Sequence, residues 1–230
     1  MSPFGCVITA AGRGERFGSP LPKALYLIDG RAMVAHATAA IAGVPHITTI
    51  IIAAPGDQVT ATEAAVSHIA HPDVRVVPGG ASRTESVRAA VAAMPADLTG
   101  ILVHDAARPF VPRAVIEAVI AAVVGGADAV VPGIPVVDTI KEIDESDVVV
   151  STPARSRLRA IQTPQGFRAA LLRQALSTTD ADATDDAQLV ERLGASVLVV
   201  PGHPDALKIT TAADLALAAD ILGRRSSNAR

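Results

Sequence analysis

The sequence of 230 residues contains no tryptophan, one tyrosine and one cysteine, and each scarcity excludes a class of function. With so few aromatic side chains, the chain has almost no surface on which the bases of a single-stranded nucleic acid could stack. The net charge of −3 and the pI near 6.0 also exclude a general nucleic-acid binder, so any basic site must be local. No set of cysteines and histidines has zinc spacing. The single thiol, Cys6, lies in an apolar segment, as an inert core cysteine does.

Long apolar runs are absent as well. No stretch reaches the roughly 18 apolar residues that a membrane-spanning helix requires. The N-terminus lacks the charged start and apolar segment of a secretory signal. We therefore expect no membrane partner and a soluble, cytoplasmic protein.

Half of the residues are hydrophobic, which is ample for a core, and they fall into alternating strand-like and helix-like segments. At this length, either one large α/β domain or two small ones would fit. Short apolar strands alternating with amphipathic helices predict a mostly parallel sheet with helices on both faces. The predicted strands are Cys6–Thr9, Ile47–Ala53, Val74–Val77, Ile101–Val103, Ala129–Val131 and Val197–Val200. The predicted helices are Met33–Ile41, Val59–Ile69, Glu85–Met94, Ala114–Val124, Phe167–Leu176, Asp185–Leu193 and Ala212–Leu222, followed by a frayed polar tail, Gly223–Arg230.

A glycine-rich loop follows the first strand and is the most informative segment. Glycines allow backbone N–H groups to approach a ligand closely and to form a concavity that binds anions. Cations in the same loop make a polyphosphate the natural ligand. The loop contains Gly12, Arg13, Gly14, Arg16, Gly18 and Lys23.

Two familiar glycine motifs do not fit this loop. The dinucleotide-binding pattern G-x-G-x-x-G is one residue shorter, and Pro20 and Pro22 prevent a helix from starting at the glycines. An ATP-type phosphate loop needs Lys and then Ser or Thr directly after its last glycine, whereas Lys23 is followed by Ala24. The alternative to a polyphosphate site is an ordinary connecting loop with solvated arginines.

The segment Pro135–Pro153 interrupts the α/β pattern. Two β-prone runs, Asp138–Ile143 and Val148–Ser151, flank the polar turn 144–147 and predict a hairpin. An isolated two-stranded hairpin is marginal in water, so this one must pack either on its own domain as a lid or on another subunit as an arm.

Further polar clusters lie just after predicted strands. In parallel sheets, ligands bind at the carboxyl ends of the strands. Each has a structural explanation when it is taken alone, such as a helix cap, a turn or a solvated charge. The clusters are PGGASRTES at 78–86, HDAARP at 104–109, QTPQ at 162–165, TDD at 184–186 and LKITT at 207–211.

Taken together and in this order, the motifs resemble the family of 2-C-methyl-D-erythritol 4-phosphate cytidylyltransferases. The matching segments run from about residue 5 to 222 and are AAGRGERFGSPLPK, GG-x-x-R-x-x-S, VHDAARP, DTIK, QTPQGF, ATDDA and KIT. The resemblance implies one Rossmann-like α/β nucleotidyltransferase domain over residues 1–222, with the hairpin 135–153 as a protruding arm that forms a homodimer. It also implies the transfer of a cytidylyl group from CTP to methylerythritol phosphate, with release of pyrophosphate and use of Mg²⁺.

The resemblance also implies roles for individual residues. The triphosphate would be held by the first loop, and Gly80 and Ser86 would read cytosine and ribose. Arg16, Lys23 and Lys208 would be catalytic, and Asp105 would lie near the metal. The triphosphate loop comprises Ala10, Ala11, Gly12 and Gly14 together with Arg16 and Lys23; the substrate contacts are Asp105, Arg108, Thr163 and Thr210, with Thr139 and Arg155 from the neighbouring subunit.

Three segments depart from the family pattern. Ala81 stands where Asp often follows the second glycine, Ala154 stands where Asp often precedes the arm arginine, and Ala206-Leu207 replaces Asn-Ile before Lys208. These departures affect base recognition and arm geometry and leave the cationic residues intact.

The chemistry of the residues agrees with the resemblance. A phosphate monoester already carries about −1.5 to −2 charge at pH 7, so it needs no general base to act as a nucleophile. The chain accordingly shows no Ser–His–Asp or Cys–His arrangement. Repulsion between anions is the main obstacle, which fixed cations can overcome. Arg16, Lys23 and Lys208 suit that task, and Asp105 offers the hard oxygen that Mg²⁺ prefers.

Three other functions share parts of the pattern. A cytidylyltransferase for another polyol phosphate, such as ribitol 5-phosphate, has many of the same motifs. A sugar-1-phosphate or molybdopterin nucleotidyltransferase shares mainly the first loop and should lack HDAARP and QTPQ. A non-catalytic regulator that binds CTP would not need Arg16, Lys23, Asp105 and Lys208 together.

Overall fold

A mixed, mainly parallel sheet forms the centre of the molecule. The computed structural model describes residues 2–12, 22–178, 185–211 and 213–228. The strands are β1 (Phe4–Thr9), β2 (Leu27–Ile28), β3 (Arg31–Ala32), β4 (Ile47–Ala54), β5 (Val74–Pro78), β6 (Gly100–Asp105), β7 (Ala129–Pro135), β8 (Glu142–Ile143), β9 (Val149–Ser151), β10 (Arg159–Ile161), β11 (Gln165–Arg168) and β12 (Val197–Pro201). The helices are α1 (Met33–Ala42), α2 (Val59–Val66), α3 (Arg83–Ala92), α4 (Arg113–Val124), α5 (Ala169–Thr178), α6 (Asp186–Glu191) and α7 (Asp214–Asn228).

The strands of the main sheet follow the order β10-β7-β11-β6-β1-β4-β5, and β12 also pairs with β7. The pairs of β1 with β4 and β6, of β4 with β5, and of β12 with β7 are parallel. All six strands predicted from the sequence are present. Two strands, β10 and β11, run antiparallel to their neighbours and were not predicted.

Both faces of the sheet are covered, as the apolar strands predict. Alternate residues along β4 point to opposite faces, so that Ile50 and Ile52 belong to one core cluster and Ile51 and Ala53 to another. Side chains of α1 and α4 fill the first cluster, and those of α3, α5 and α6 fill the second. Because both faces are buried, the strands read as continuous apolar runs rather than as alternating ones.

Two helices, α3 and α6, begin at residues whose side chains cap them. Ser82 accepts a hydrogen bond from the N–H of Glu85 at the start of α3, and Asp185 accepts one from Gln188 at the start of α6. The final helix, α7, continues to Asn228, so the sequence placed its end at Leu222 too early. The helical residues 223–228 fall in the segment that the sequence predicts to be a frayed tail.

The predicted hairpin is present and consists of β8 and β9. The Asp144 carboxylate accepts hydrogen bonds from the N–H groups of Ser146 and Val148 and so shapes the turn. Six apolar side chains on and beside this hairpin are each at least two-fifths exposed: Val137, Ile140, Ile143, Val148, Val149 and Val150. In the described ranges, no helix is long and apolar enough to cross a membrane.

Candidate active site

A cleft of about 1350 Å³ opens at the carboxyl ends of four neighbouring parallel strands. Its walls come from the segments that follow β1, β4, β5 and β6, together with Lys23 and Lys208. The sheet register places the ends of these strands side by side, with Thr9 opposite both Ala53 and Asp105. The sheet topology therefore gathers polar segments that are far apart in the sequence.

The first wall of the cleft is the start of the glycine loop. Ala10, Ala11 and Gly12 line it, and the Ala10 N–H is fixed by the Ala53 carbonyl at 2.8 Å. Lys23 also lines the cleft and is the first residue of a short 3-10 helix. Gly14 and Arg16 lie outside the described residues, so their predicted roles stay predictions.

The second wall is the Gly79–Gly80 turn, which is packed too closely for a larger residue. A Cβ atom on Gly79 would lie 2.8 Å from both the Ala11 Cβ and the Ser86 Oγ. A Cβ on Gly80 would lie 2.3 Å from the Glu85 Cβ. The buried Ser86 hydroxyl accepts a hydrogen bond from the Gly80 N–H and donates one to the Ser82 carbonyl. The backbone of this turn is therefore rigid and close to the cleft.

Asp105 carries the main negative charge on the floor of the cleft, and three cations surround it. Its Oδ2 lies 2.8 Å from the Lys208 Nζ and 3.8 Å from the Arg108 Nε, while its Oδ1 lies 3.6 Å from the Arg83 Nη2. Burial alone would raise the pKa of Asp105, but Lys208, Arg83 and Arg108 together hold it well below its usual range. Asp105 is thus an anion at neutral pH.

Arg83 joins Asp105 to a second buried carboxylate, Asp186. The Arg83 Nη2 lies 2.7 Å from the Asp186 Oδ2, and the Asp186 residue is 1% exposed. Burial would lower the pKa of Arg83, but the two carboxylates raise it above its usual value. Burial raises the pKa of Asp186, and Arg83 opposes that shift. Arg83 is therefore the group that favours the charged form of Asp186.

A chain of hydrogen bonds beneath the floor fixes the backbone of Asp105. Burial lowers the pKa of His104 to about 4, so the imidazole is neutral. Its Nε2 lies 3.1 Å from the Arg108 carbonyl, which can only accept, so Nε2 carries the proton. Its Nδ1 therefore accepts from the Thr163 hydroxyl at 3.0 Å, and the Thr163 oxygen accepts from the Asp105 N–H at 3.0 Å. Every donor in this series of hydrogen bonds meets an acceptor.

The two glutamines of QTPQ connect the same floor to two further loops. Gln162 donates to the carbonyl of His203 and accepts from its N–H, so the side chain acts like a neighbouring strand. Gln165 donates to the Asp185 carboxylate and accepts from the Ala187 N–H. The motif thereby holds the loop before Lys208 and the start of α6 in fixed positions relative to Asp105.

Arg108 and Thr210 support the site from behind. The Arg108 guanidinium donates to the carbonyls of Ala206 and Ile161, and its side chain is 12% exposed. The Thr210 hydroxyl and N–H both donate to the Asp214 carboxylate at the start of α7. The structure places both residues beside the predicted site, and their contact with a substrate stays a prediction, as it does for Thr163.

Comparisons with known proteins identify the family of the chain. The profile of the IspD family, 2-C-methyl-D-erythritol 4-phosphate cytidylyltransferase, matches residues 5–224. The chain belongs to this family. The enzyme of that description from Saccharopolyspora erythraea is 49% identical over 219 residues, which span 94% of this chain and 97% of the relative. The enzyme from Nocardia farcinica is 48% identical over 96% of this chain and 94% of the relative.

Solved structures of the IspD family share the fold. The 4-diphosphocytidyl-2C-methyl-D-erythritol synthase of Anaerococcus prevotii superposes with a TM-score of 0.84 at 28% identity, covering 96% of this chain and 99% of that one. The 2-C-methyl-D-erythritol 4-phosphate cytidylyltransferase of Thermus thermophilus gives a TM-score of 0.76 at 34% identity, covering 96% and 98%. The predicted α/β fold and the predicted family are both confirmed.

Two residues that the IspD resemblance assigns to the substrate do not line the described part of this cleft. Thr139 and Arg155 lie in and beside the arm, are exposed, and are not among the described residues that line the cleft. Arg155 donates instead to the Val137 carbonyl, which braces the base of the arm. Their contact with a substrate stays a prediction.

The structure also reveals site features that the motifs did not predict. Pro55, Gly56, Asp57 and Gln58 line the cleft after β4, and Asp186 of the TDD motif pairs with Arg83. The four lining residues could have been found, because they follow a predicted strand that ends at the same edge of the sheet. The pairing of Asp186 could not, because an acidic residue in the first turn of a helix is ordinarily explained by the helix dipole.

A Mg²⁺ ion fits this site only with help from a ligand. Within the described ranges, no group of three or more His, Cys, Asp or Glu side chains could hold a metal. Asp105 offers one carboxylate to the cleft, and Mg²⁺ usually binds through one or two carboxylates with phosphate oxygens and water. The donor set therefore suits an ion that arrives with a polyphosphate.

Proposed function

We propose that this chain transfers the cytidylyl group of CTP to the phosphate of 2-C-methyl-D-erythritol 4-phosphate, with Asp105 and Lys208 at the centre of the site. Membership of the IspD family supports the reaction, which belongs to the non-mevalonate isoprenoid pathway. The observation that supports the site is the convergence of Lys23, Lys208 and Asp105 with the Gly79–Gly80 turn on one cleft. This arrangement suits a polyanion that carries a base.

The reaction joins one phosphate to another. An oxygen of the methylerythritol phosphate attacks the α-phosphorus of CTP, a new P–O bond forms, and the bond from the α-phosphorus to the bridging oxygen breaks. Pyrophosphate leaves with the bonding electrons. Because the phosphate monoester is already ionised, no residue has to remove a proton from it. The chain must instead align the two phosphates and reduce their repulsion.

Cations that line the cleft serve that purpose. Unit charges at ~4 Å interact by about 4 kcal/mol at an effective dielectric constant of 20, so two or three cations can dominate the barrier. Lys23, beside the glycine loop, faces the position of the triphosphate. Lys208, held 2.8 Å from Asp105, faces the incoming phosphate. Arg16 joins Lys23 in this role, as the motif predicts.

Asp105 has two functions in this proposal. It orients Lys208, and it would hold a Mg²⁺ ion together with oxygens of the triphosphate. The bound ion would add positive charge where the triphosphate carries its highest negative charge. Without Asp105, three cations would face one another across the floor.

The Gly79–Gly80 turn and Ser86 select the base. Their backbone is rigid and admits no larger side chain, so we expect a close-fitting pocket that accepts a pyrimidine and excludes a purine. Ala81 offers no side-chain carboxylate here, in contrast to the family pattern, so recognition of the cytosine edge depends on backbone groups and on Ser86.

The arm completes the active enzyme as a homodimer. Six apolar side chains on and beside the arm are exposed in the single chain, which is costly unless a partner covers them. Thr139 and Arg155 would then reach the methylerythritol phosphate of the partner subunit. This accounts for polar substrate residues that do not line the cleft of their own chain.

Initial rates of pyrophosphate release test the function. We expect Mg²⁺-dependent release with CTP and methylerythritol phosphate, and at least ~100-fold lower kcat/KM with ATP or with ribitol 5-phosphate. Equal rates with ATP would contradict the proposed base pocket. Equal or higher rates with ribitol 5-phosphate would assign the enzyme to another polyol phosphate.

A further inference from the structure

Asp186 is a buried carboxylate that the proposed reaction does not use. Neither of its carboxylate oxygens has a well-aligned hydrogen-bond donor in the described part of the chain. The start of α6 does not need it as a cap, because the neighbouring Asp185 accepts the N–H of Gln188. Burying an ionised carboxylate costs several kcal/mol unless a cation compensates. The cation that compensates the buried charge of Asp186 is Arg83.

The Arg83 guanidinium lies between two carboxylates and is closer to one of them than to the other. Its Nη2 lies 2.7 Å from Asp186 and 3.6 Å from Asp105. Asp105 in turn makes its shortest ion pair with Lys208, at 2.8 Å. The four charges thus form two close pairs, Arg83 with Asp186 and Lys208 with Asp105, joined by one long contact.

The alternative arrangement would damage the site. A guanidinium binds a carboxylate with two parallel hydrogen bonds, which a lysine cannot match. The Arg83 Nη2 already lies 3.6 Å from the Asp105 Oδ1, so an Arg83 released from Asp186 needs to approach by only about 0.8 Å to form the first of these hydrogen bonds. Lys208, which is 45% exposed, would then lose its partner and turn to solvent.

We propose that Asp186 is a positioning residue that holds Arg83 away from Asp105, so that Asp105 remains paired with Lys208. The inference rests on the proposed function, which gives Asp105 and Lys208 their roles. In this proposal Arg83 takes no part in the reaction, and Asp186 keeps it in place beside the site. The removal of Asp186 should therefore be more harmful than the removal of Arg83.

A double-mutant cycle separates this role from a purely structural one. We expect Asp186→Asn to lower kcat about tenfold or more, with the KM for CTP changed less than about twofold, because the walls that hold the nucleotide are intact. Arg83→Gln should retain at least about a third of the wild-type kcat. The double variant should recover to the level of Arg83→Gln, because the misplaced arginine is gone.

Three controls make the cycle interpretable. Glu117→Gln is the matched carboxylate-to-amide change, since Glu117 pairs with Arg113 on the solvent-exposed face of α4 and should be silent. Thermal unfolding of every variant reports folding. Wild-type turnover is measured first: its absence with CTP and methylerythritol phosphate would overturn the proposed function, whereas an active wild type with a silent Asp186→Asn overturns only this inference.

The ranking of the variants decides the result. Recovery in the double variant supports the proposal, as does a crystal structure of Asp186→Asn with Arg83 about 2.8 Å from Asp105. A double variant no more active than Asp186→Asn overturns it. If Asp186→Asn does not fold, Arg83→Gln alone decides, because a loss of about 100-fold in that variant would show that Arg83 itself is required.

Discussion

The side-chain oxygen of Thr163 accepts a hydrogen bond from the main-chain N–H of Asp105 at 3.0 Å, although 58 residues separate them. The same hydroxyl donates to the neutral imidazole of His104. One small side chain thus links the end of β6 to the QTPQ segment, directly beneath the carboxylate that pairs with Lys208. The first prediction concerns this link.

Replacement of Thr163 by valine should lower both stability and activity. The change keeps the shape but leaves the Asp105 N–H and the His104 Nδ1 unpaired in a buried position, at a cost of about 1–3 kcal/mol. We expect a lower urea midpoint and a lower kcat. Thr163→Ser keeps the hydroxyl and should retain most of both. If the valine variant equals the serine variant in kcat, the link does not position Asp105.

Substitutions of Lys23 and Asp105 should lower activity in different ways. Lys23→Ala removes a cation that faces the growing negative charge, which typically costs about 10²–10³ in kcat. Asp105→Asn keeps the shape and removes the carboxylate that would hold Mg²⁺. We expect its activity to return in part at high Mg²⁺ concentration, as measured by a metal titration of the rate, whereas that of Lys23→Ala should not. A wild-type Mg²⁺ dependence in Asp105→Asn would restrict Asp105 to orienting Lys208.

Deletion of the arm should separate nucleotide binding from turnover. A variant that lacks residues 138–151 loses most of the exposed apolar side chains of the arm, together with Thr139, which the proposed function assigns to the partner's substrate. We expect a monomer in analytical ultracentrifugation, no turnover, and nearly unchanged CTP affinity in calorimetry, because the cleft does not include the arm. A wild-type chain that sediments as a monomer and is fully active would show instead that the arm acts within its own chain.

Addition of one methyl group at Gly79 should impair the nucleotide site. The new Cβ would lie 2.8 Å from Ala11 and from the Ser86 Oγ, so the turn or the first wall must shift. We expect Gly79→Ala to raise the KM for CTP about tenfold or more. Gly223→Ala on α7 is the control, because a Cβ added there would meet no atom of the described ranges within 4 Å beyond its own stretch of helix. Equal KM values for the two variants would show that the Gly79–Gly80 turn does not contribute to CTP binding.

The Asp214 carboxylate should contribute to stability only above acidic pH. Hydrogen bonds from the Thr210 and Thr211 N–H groups lower its pKa from the ordinary value of 3.8. The unfolded chain therefore binds a proton at higher pH than the folded chain, and the contribution is lost as the pH falls below about 4. We expect Asp214→Ala to be less stable than wild type at pH 7, with a difference that narrows at pH 3 in denaturant titrations. A difference independent of pH would contradict this.

The sequence was sufficient for the parallel part of the fold because apolar runs buried on two faces are unmistakable. It was insufficient for β11, where the sequence predicts a helix from Phe167. This strand is short, begins and ends with the polar Gln165 and Arg168, and exists because it pairs with β6 on one side and β7 on the other. Such pairing is a tertiary effect that a local pattern does not encode.

The site divides in the same way. Lys23, Asp105 and Lys208 could be located because they follow strand ends or belong to recognised motifs. The functions of Gln162 and Gln165 could not, since a glutamine that replaces strand pairing looks like any polar loop residue. Burial decides their role, and burial follows from how the loops stack on the sheet.

The most direct measurement is ³¹P NMR of a reaction that contains CTP, methylerythritol phosphate, Mg²⁺ and the enzyme. The account predicts that the monoester resonance disappears while two coupled diphosphate resonances and one equivalent of pyrophosphate appear, because the methylerythritol phosphate itself attacks the α-phosphorus. Inorganic phosphate and CDP in place of the coupled diphosphate, or an unchanged monoester resonance, would contradict it.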